Sequence, residues 1–361
     1  MTIKLSFIII LLFQILSFNI VLLEKSNYHR KQLLFIGFSA IILESLLFFS
    51  IVDLSYGDDL IGYQLWFHKM GIINTVLSIN THSKAWGFSV LLYYFNFFSS
   101  SFRFFFVSVG LFSIFLIYIV VNAFEKTNPT IYFFYISLIF ILNRYQLDFS
   151  ANILRSFISG GLLLIILIYA FDNYKYLLLL PIPFLIHDLQ FLLGLAIFIL
   201  AYIIPFKTLR LIVIFAVLGY FINYLGNYFI TTLGHFIKMN KINISAVITG
   251  SQMLTFSRKL QNLFYLVIPI LIVLKNLHFS NYDKQGIKTK IFIKVMFISI
   301  GFAIFLVNIT PRYDRIMLIG LPLLYIFFLK FSGKWEKFFF VNAIIIMNFV
   351  ALLRNVSHFN I

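Results

Sequence analysis

Long apolar runs alternate with short polar breaks along this chain, and most runs have the length of a membrane-crossing helix. Clear runs fall near 4–23, 32–52, 104–122, 208–231, 262–278, 292–308, 315–330 and 338–353; a span needs about 20 mostly apolar residues. Two shorter runs, 131–143 and 155–171, also predict helices. Two regions do not fit a single crossing. The stretch 87–98 is only twelve residues long, short for a span and typical of a re-entrant or interfacial segment. The stretch 177–204 is too long for one span, is broken by Pro181 and Pro183, and carries His187-Asp188 in its middle. The pattern predicts an all-α, polytopic integral membrane protein with about 12 transmembrane helices. It forms a single transmembrane domain over 1–361, with a motif-bearing half over residues 1–205 and a set of C-terminal helices over residues 206–361.

Composition agrees with this reading. The chain is 61% hydrophobic and only 11% charged, against about 25% charged in soluble domains. The first apolar run ends at Glu24-Lys25 without small cleavage-site residues, which predicts a retained span. The formal charge of +16 is spread over short loops. That is the signature of positive-inside anchoring and not of a nucleic-acid-binding domain. There are no cysteines, so thiolate chemistry and disulfides are excluded.

Lysine and arginine in short loops set the orientation. The basic segments 24–31, 275–294 and 330–337 are placed in the cytoplasm. Outer loops then cover 53–85, 232–261 and 308–315. If 87–103 re-enters from outside and 177–204 makes two short crossings, Arg103, Arg144 and Arg155 share the outer face with Asp58 and Asp59. One crossing for each region would instead put those arginines inside. The first threading is adopted, because a Pro/His/Asp break in one lipid-exposed helix leaves backbone groups without partners.

Polar residues are few enough to single out. Asp58 and Asp59 sit in an outer loop within Tyr56-Gly57-Asp58-Asp59-Leu60-Ile61-Gly62-Tyr63, in a chain with 12 acidic residues. Beside a low-dielectric boundary a carboxylate can serve as a general base or position a hydroxyl; otherwise it is a solvated acid or the cap of a helix over 60–69. Arg155 opens an apolar helix near Asn152 and Arg144. It can snorkel to the interface or present its fork to phosphate oxygens. His187 can be a base, can position an acceptor, or can be a satisfied core histidine. Arg312 and Arg315 flank Tyr313-Asp314 in a short outer loop, where they can bind an anion or pair with the aspartate. No Walker A, GxGxxG, GxSxG or HExxH motif occurs, so a donor substrate must bind in or beside the membrane. No cofactor and no metal cluster is predicted.

The order of these features resembles the EpsG-like family of polysaccharide polymerases, which includes many O-antigen (Wzy-type) polymerases. The resemblance rests on Gly57-Asp58-Asp59 with Tyr63, the Gly87-Phe88 segment, Ile153-Leu154-Arg155-Ser156-Phe157 opening a helix, and Phe184-Leu185-Ile186-His187. It covers roughly residues 1–205. Ser55-Tyr56 stand where the family pattern has an arginine, Ser156 where it favours glutamine, and Asp188-Leu189 where small residues are usual.

The resemblance implies an architecture similar to that of C-type membrane glycosyltransferases, in the bacterial inner membrane with the site facing outside. It implies a polymerase that moves a glycan from undecaprenyl diphosphate to the terminal sugar of a new lipid-linked repeat unit. Asp58, Asp59 or His187 would take the proton. Arg155, Arg312 and Arg315 would hold the diphosphate, with Tyr63, Asn152 and Arg144 near the substrate. Partners would be the lipid-linked oligosaccharide, the bilayer and a chain-length regulator. A flippase for the same lipid, or a transferase using a polyprenyl-phosphate sugar, is the alternative.

Overall fold

The computed structural model describes residues 58–70, 86–140, 153–238, 262–277, 279–306 and 313–354, with single positions at 19, 32, 34, 35, 39 and 42. Most of the predicted spans 4–23 and 32–52, most of the loop 232–261, and Arg144, Asn152 and Arg312 lie outside the described residues. Among the described residues every regular element is helical. The chain divides into two compact units, 1–194 with 332–361, and 195–331.

In the first unit α1 is Asp58–Met70, α2 Trp86–Phe98, α3 Phe102–Phe124, α4 Pro129–Phe140 and α5 Leu154–Ala170. A 3-10 turn at Tyr174–Leu179 and the short α6, Pro181–Ile186, lead into α7, Asp188–Ile203, along which the chain passes to the second unit. Asp58 and Asp59 therefore open a helix and do not lie in a loop. Leu60, Tyr63, Phe67 and Met70 are buried, a 3-4-3 spacing that extends helical periodicity back to the acids, and acids favour a helix N-terminus.

Phe67, Phe88 and Phe105, all almost fully buried, join α1, α2 and α3. The ring centroids of Phe67 and Phe88 each lie 6.2 Å from that of Phe105. Asn96 Nδ2 donates to Phe67 O at 3.2 Å, so α2 satisfies one of the carbonyls that the last turn of α1 leaves open. Between α3 and α4 the buried Glu125 organises the turn. Its Oε1 accepts from Thr127 N at 2.8 Å, Asn128 N at 3.2 Å and the Thr127 hydroxyl.

The second unit holds α8 Phe206–Lys238, a π-helical turn Leu263–Val267, α9 Ile268–Asn276, the short α10 Phe279–Asp283, α11 Ile287–Leu306 and α12 Tyr313–Phe331. α12 is its centre, with Leu321 and Leu323 to Leu329 fully buried. Gly320 lets α12 approach α11, since a Cβ there would meet Ser299 Cβ at 2.5 Å. Within the π turn the Tyr265 carbonyl accepts from Tyr325 Oη of α12 at 3.3 Å.

α13, Lys334–Arg354, returns to the first unit. Lys337 Nζ lies 5.4 Å from the centre of the Tyr132 ring on α4. Asn342 and Asn19 exchange amide hydrogen bonds of 3.0 and 3.2 Å.

Among the described residues two helices, α3 and α11, are long and apolar enough to cross a membrane. At 1.5 Å per residue they measure about 34 and 30 Å. α3 buries one side, including Phe102, Phe105, Val109, Leu116 and Val120, and exposes Phe104, Leu111, Phe115 and Tyr118 on another. α8 likewise exposes Leu211, Phe215, Leu218 and Ile222 opposite a buried Val213, Ala216, Val217 and Tyr220. Helices apolar on every side suit an apolar solvent. α2, with 13 residues, spans only about 20 Å.

Candidate functional site

The candidate site lies in the first unit, where α1, α2, α5 and α6 meet. Each helix brings one segment singled out in the sequence. α1 opens on the acids and presents Tyr63 and Trp66 one turn apart. Both pack edge-on against Phe88 of α2, with centroids 5.6 and 5.3 Å away. Arg155, in the first turn of α5, holds its guanidinium carbon 5.4 Å from the centre of the Trp66 ring.

Arg155 is half-buried, and its Nε is buried without a hydrogen-bond partner. The N-cap of α5 is Ile153, which has no side-chain acceptor for the open N–H groups of the first turn. A cation beside the positive end of a helix is unfavourable unless an anion joins them. The guanidinium fork and the uncapped amides together suit a phosphate or carboxylate group.

One turn along α5, on the same face as Arg155, Ser159 reaches the break before α7. Its hydroxyl lies 2.8 Å from Pro183 O and 3.3 Å from His187 O. His187 is extended, at φ −158° and ψ 98°, and separates α6 from α7. The predicted break in 177–204 thus falls at this histidine. Pro183 O and His187 O keep their backbone bonds from His187 N and Phe191 N, and Ser159 adds a bond from α5 to the same carbonyls. Gly87 of α2 packs against the backbone of α6, where a Cβ would sit 2.7 Å from the Leu185 carbonyl carbon. No larger residue fits there without moving a helix.

His187 Nδ1 accepts the Gln190 backbone N–H at 3.3 Å and caps α7. A neutral ring making this bond carries its proton on Nε2 and offers a donor there. Taking up a proton at Nε2 would require the other tautomer, at the expense of the cap. Asp188 Oδ1 is committed to Leu189 N at 2.7 Å and lies 3.9 Å from His187 Nδ1.

Tyr63, Arg155 and His187 are thus gathered around α1, α2, α5 and α6, while Asp58 and Asp59 begin α1 about 12 Å of helix rise before Trp66. Arg315 lies in the first turn of α12, in the second unit. Sequence reasoning missed Trp66 and Ser159. Trp66 is one of three tryptophans and stands three residues after Tyr63; Ser159 stands four after Arg155. Both spacings mark shared helix faces, and the partners they reach lie far away in sequence. No group of three or more potential metal ligands occurs among the described residues. The chain matches no known protein-family model, no curated protein and no solved structure.

Proposed function

We infer that the protein is a membrane glycosyltransferase that polymerises lipid-linked oligosaccharide repeat units. A hydroxyl of the new unit's terminal sugar attacks the anomeric carbon of the growing chain. The new C–O bond forms as the bond to the lipid diphosphate breaks, and the diphosphate leaves with the electron pair. Asp58 or Asp59 takes the hydroxyl proton, and Arg155 with the open end of α5 balances the charge on the leaving group. His187 holds α6 and α7 in register beside the site.

One observation carries this reading. The four segments behind the resemblance, around Tyr63, Gly87, Arg155 and His187, pack on one another through Phe88, Trp66, Leu185 and Ser159. The partly buried arginine, with one N–H unmatched, suits a diphosphate better than it suits a solvated loop. An acid two turns from Trp66 suits a substrate whose sugar separates base from phosphate.

The wider reading is a multi-pass protein of the bacterial cytoplasmic membrane, with about 12 spans and the site facing outside. α2 is its re-entrant segment, in an arrangement similar to C-type membrane glycosyltransferases. Its donor and acceptor are undecaprenyl-diphosphate oligosaccharides, and a chain-length regulator is a natural partner.

The test is reconstitution of the purified protein with a synthetic lipid-diphosphate repeat unit and no nucleotide sugar. A ladder of products is expected. Translocation of the unit without chain growth would replace the proposal with a flippase, and growth only with a polyprenyl-phosphate sugar would make it a single-sugar transferase.

A further inference from the structure

The second unit has a cationic end that the proposed reaction does not use. Arg210, in the first turns of α8, donates from Nη2 to Leu274 O at 3.3 Å and so satisfies a carbonyl at the end of α9. Phe206 stacks on Tyr282 of α10, with centroids 3.9 Å apart and planes within 4°. Lys290, at the start of α11, lies 5.6 Å from the centre of the same tyrosine ring. These contacts hold four helix ends together. They bring Lys207, Arg210, Lys275, Lys284, Lys288 and Lys290 to one place, with Asp283 as the described acid among them.

Large apolar side chains border the same lysines. Ile203 is 70% exposed, Ile287 75% and Leu211 49%. Ile203 and Leu211 each lie four residues from Lys207, and Ile287 adjoins Lys288. A free anion would neutralise the charge and leave these residues bare. A soluble acidic partner would have to desolvate its own carboxylates against them. A phospholipid with an anionic head group meets both demands at once, its phosphate on the lysines and its acyl chains on the isoleucines.

We propose that this end of the second unit seats the head group of an anionic phospholipid. Lys207, Lys284 and Lys288 hold the phosphate, and the tails lie along Ile203, Leu211 and Ile287. Phe206, Tyr282 and Arg210 keep the helix ends in register and do not themselves contact the lipid.

The experiment is thermal unfolding of the full-length protein in detergent with added dioleoyl-phosphatidylglycerol, dioleoyl-phosphatidylcholine of equal mole fraction, or inorganic phosphate. The anionic lipid is expected to raise Tm about 3 °C more than the zwitterionic one, as a ligand of the folded state does, and inorganic phosphate to do little. Lys207→Gln/Lys284→Gln/Lys288→Gln should lose most of that excess. Lys126→Gln/Lys175→Gln/Lys334→Gln, equal in charge change but in the first unit, should keep it. Should the first triple variant not fold, the three single variants are measured, and each should lose part of the excess. Equal shifts from the two lipids, an excess undiminished by the Lys207, Lys284 and Lys288 changes, or a phosphate effect as large as the lipid's would each overturn the proposal.

Discussion

The guanidinium of Arg155 lies over Trp66, 5.4 Å from the ring centre. This contact fixes the start of α5 against α1, the helix that opens on Asp58 and Asp59. Trp66 orients the arginine through its face and leaves the donor edges for a ligand. The pair therefore separates two jobs that one salt bridge would have merged.

Arg155→Lys keeps the charge but loses the planar fork and its stacking. In the reconstituted reaction it should lower the rate of chain growth at least about 100-fold, while single repeat units accumulate on the carrier. Trp66→Leu should produce a smaller loss, about 10-fold, mainly in KM, since it loosens the arginine without removing it. A lysine variant as active as the native enzyme would remove Arg155 from the diphosphate site.

Asp58→Asn and Asp59→Asn distinguish the two acids. The base is the one whose amide variant abolishes long chains and removes the acid limb of the pH–rate profile. The other should retain most activity. Retention in both single variants and in the double variant would discard the carboxylate role.

Gly87→Ala forces a methyl group to within 2.7 Å of the Leu185 backbone. Helix α2 must then move away from α6, at a cost of about 1–3 kcal/mol. Thermal unfolding should show a lower Tm. Ser159→Ala, which removes the hydroxyl from Pro183 O, should cost about 1 kcal/mol, and Ser159→Thr should recover part of it.

Burial lowers the pKa of Lys337 below its usual 10.5, and nearby Glu125 partly offsets this. The folded protein therefore binds this proton less well than the unfolded chain. The penalty is fully present below the folded-state pKa and fades as pH rises from there through 10.5, so in that window stability gains with pH. Tyr282 acts in the opposite sense. Burial, aided by Asp283, raises its pKa above 10.0, which favours folding at low pH and is lost as pH rises through the raised value. The difference between native protein and Lys337→Met isolates the lysine. The variant's Tm should exceed the native value at pH 8, and the gap should close toward pH 10.5. A gap that stays constant across this range would show that the substitution acts through packing alone.

Much of the helical order was legible in hydropathy. The run 104–122 became α3 at 102–124, 155–171 became α5 at 154–170, and 292–308 became α11 at 287–306. Pro181 and Pro183 signalled the break that His187 completes. The start of α1 at Asp58 was harder to read, because two acids after Gly57 look like a turn until the buried Leu60, Tyr63, Phe67 series is counted. The contacts that build the site were not legible at all. Arg155 on Trp66 and Ser159 on His187 join segments 89 and 28 residues apart, and periodicity within one helix does not encode which helix it faces. The return of α13 to the first unit is another long-range pairing that hydropathy does not encode.

The Asn19–Asn342 amide pair and the seat of Lys337 beside Tyr132 tie a late segment of the chain to early ones. A ribosome makes most of the first unit's helices early and α13 late, with the whole second unit translated in between. The first unit therefore waits, incomplete, through the synthesis of more than a third of the protein. A chain that stopped just before Ser332 would carry Tyr63, Trp66, Arg155, Ser159 and His187 and still lack α13, the helix that packs on α4.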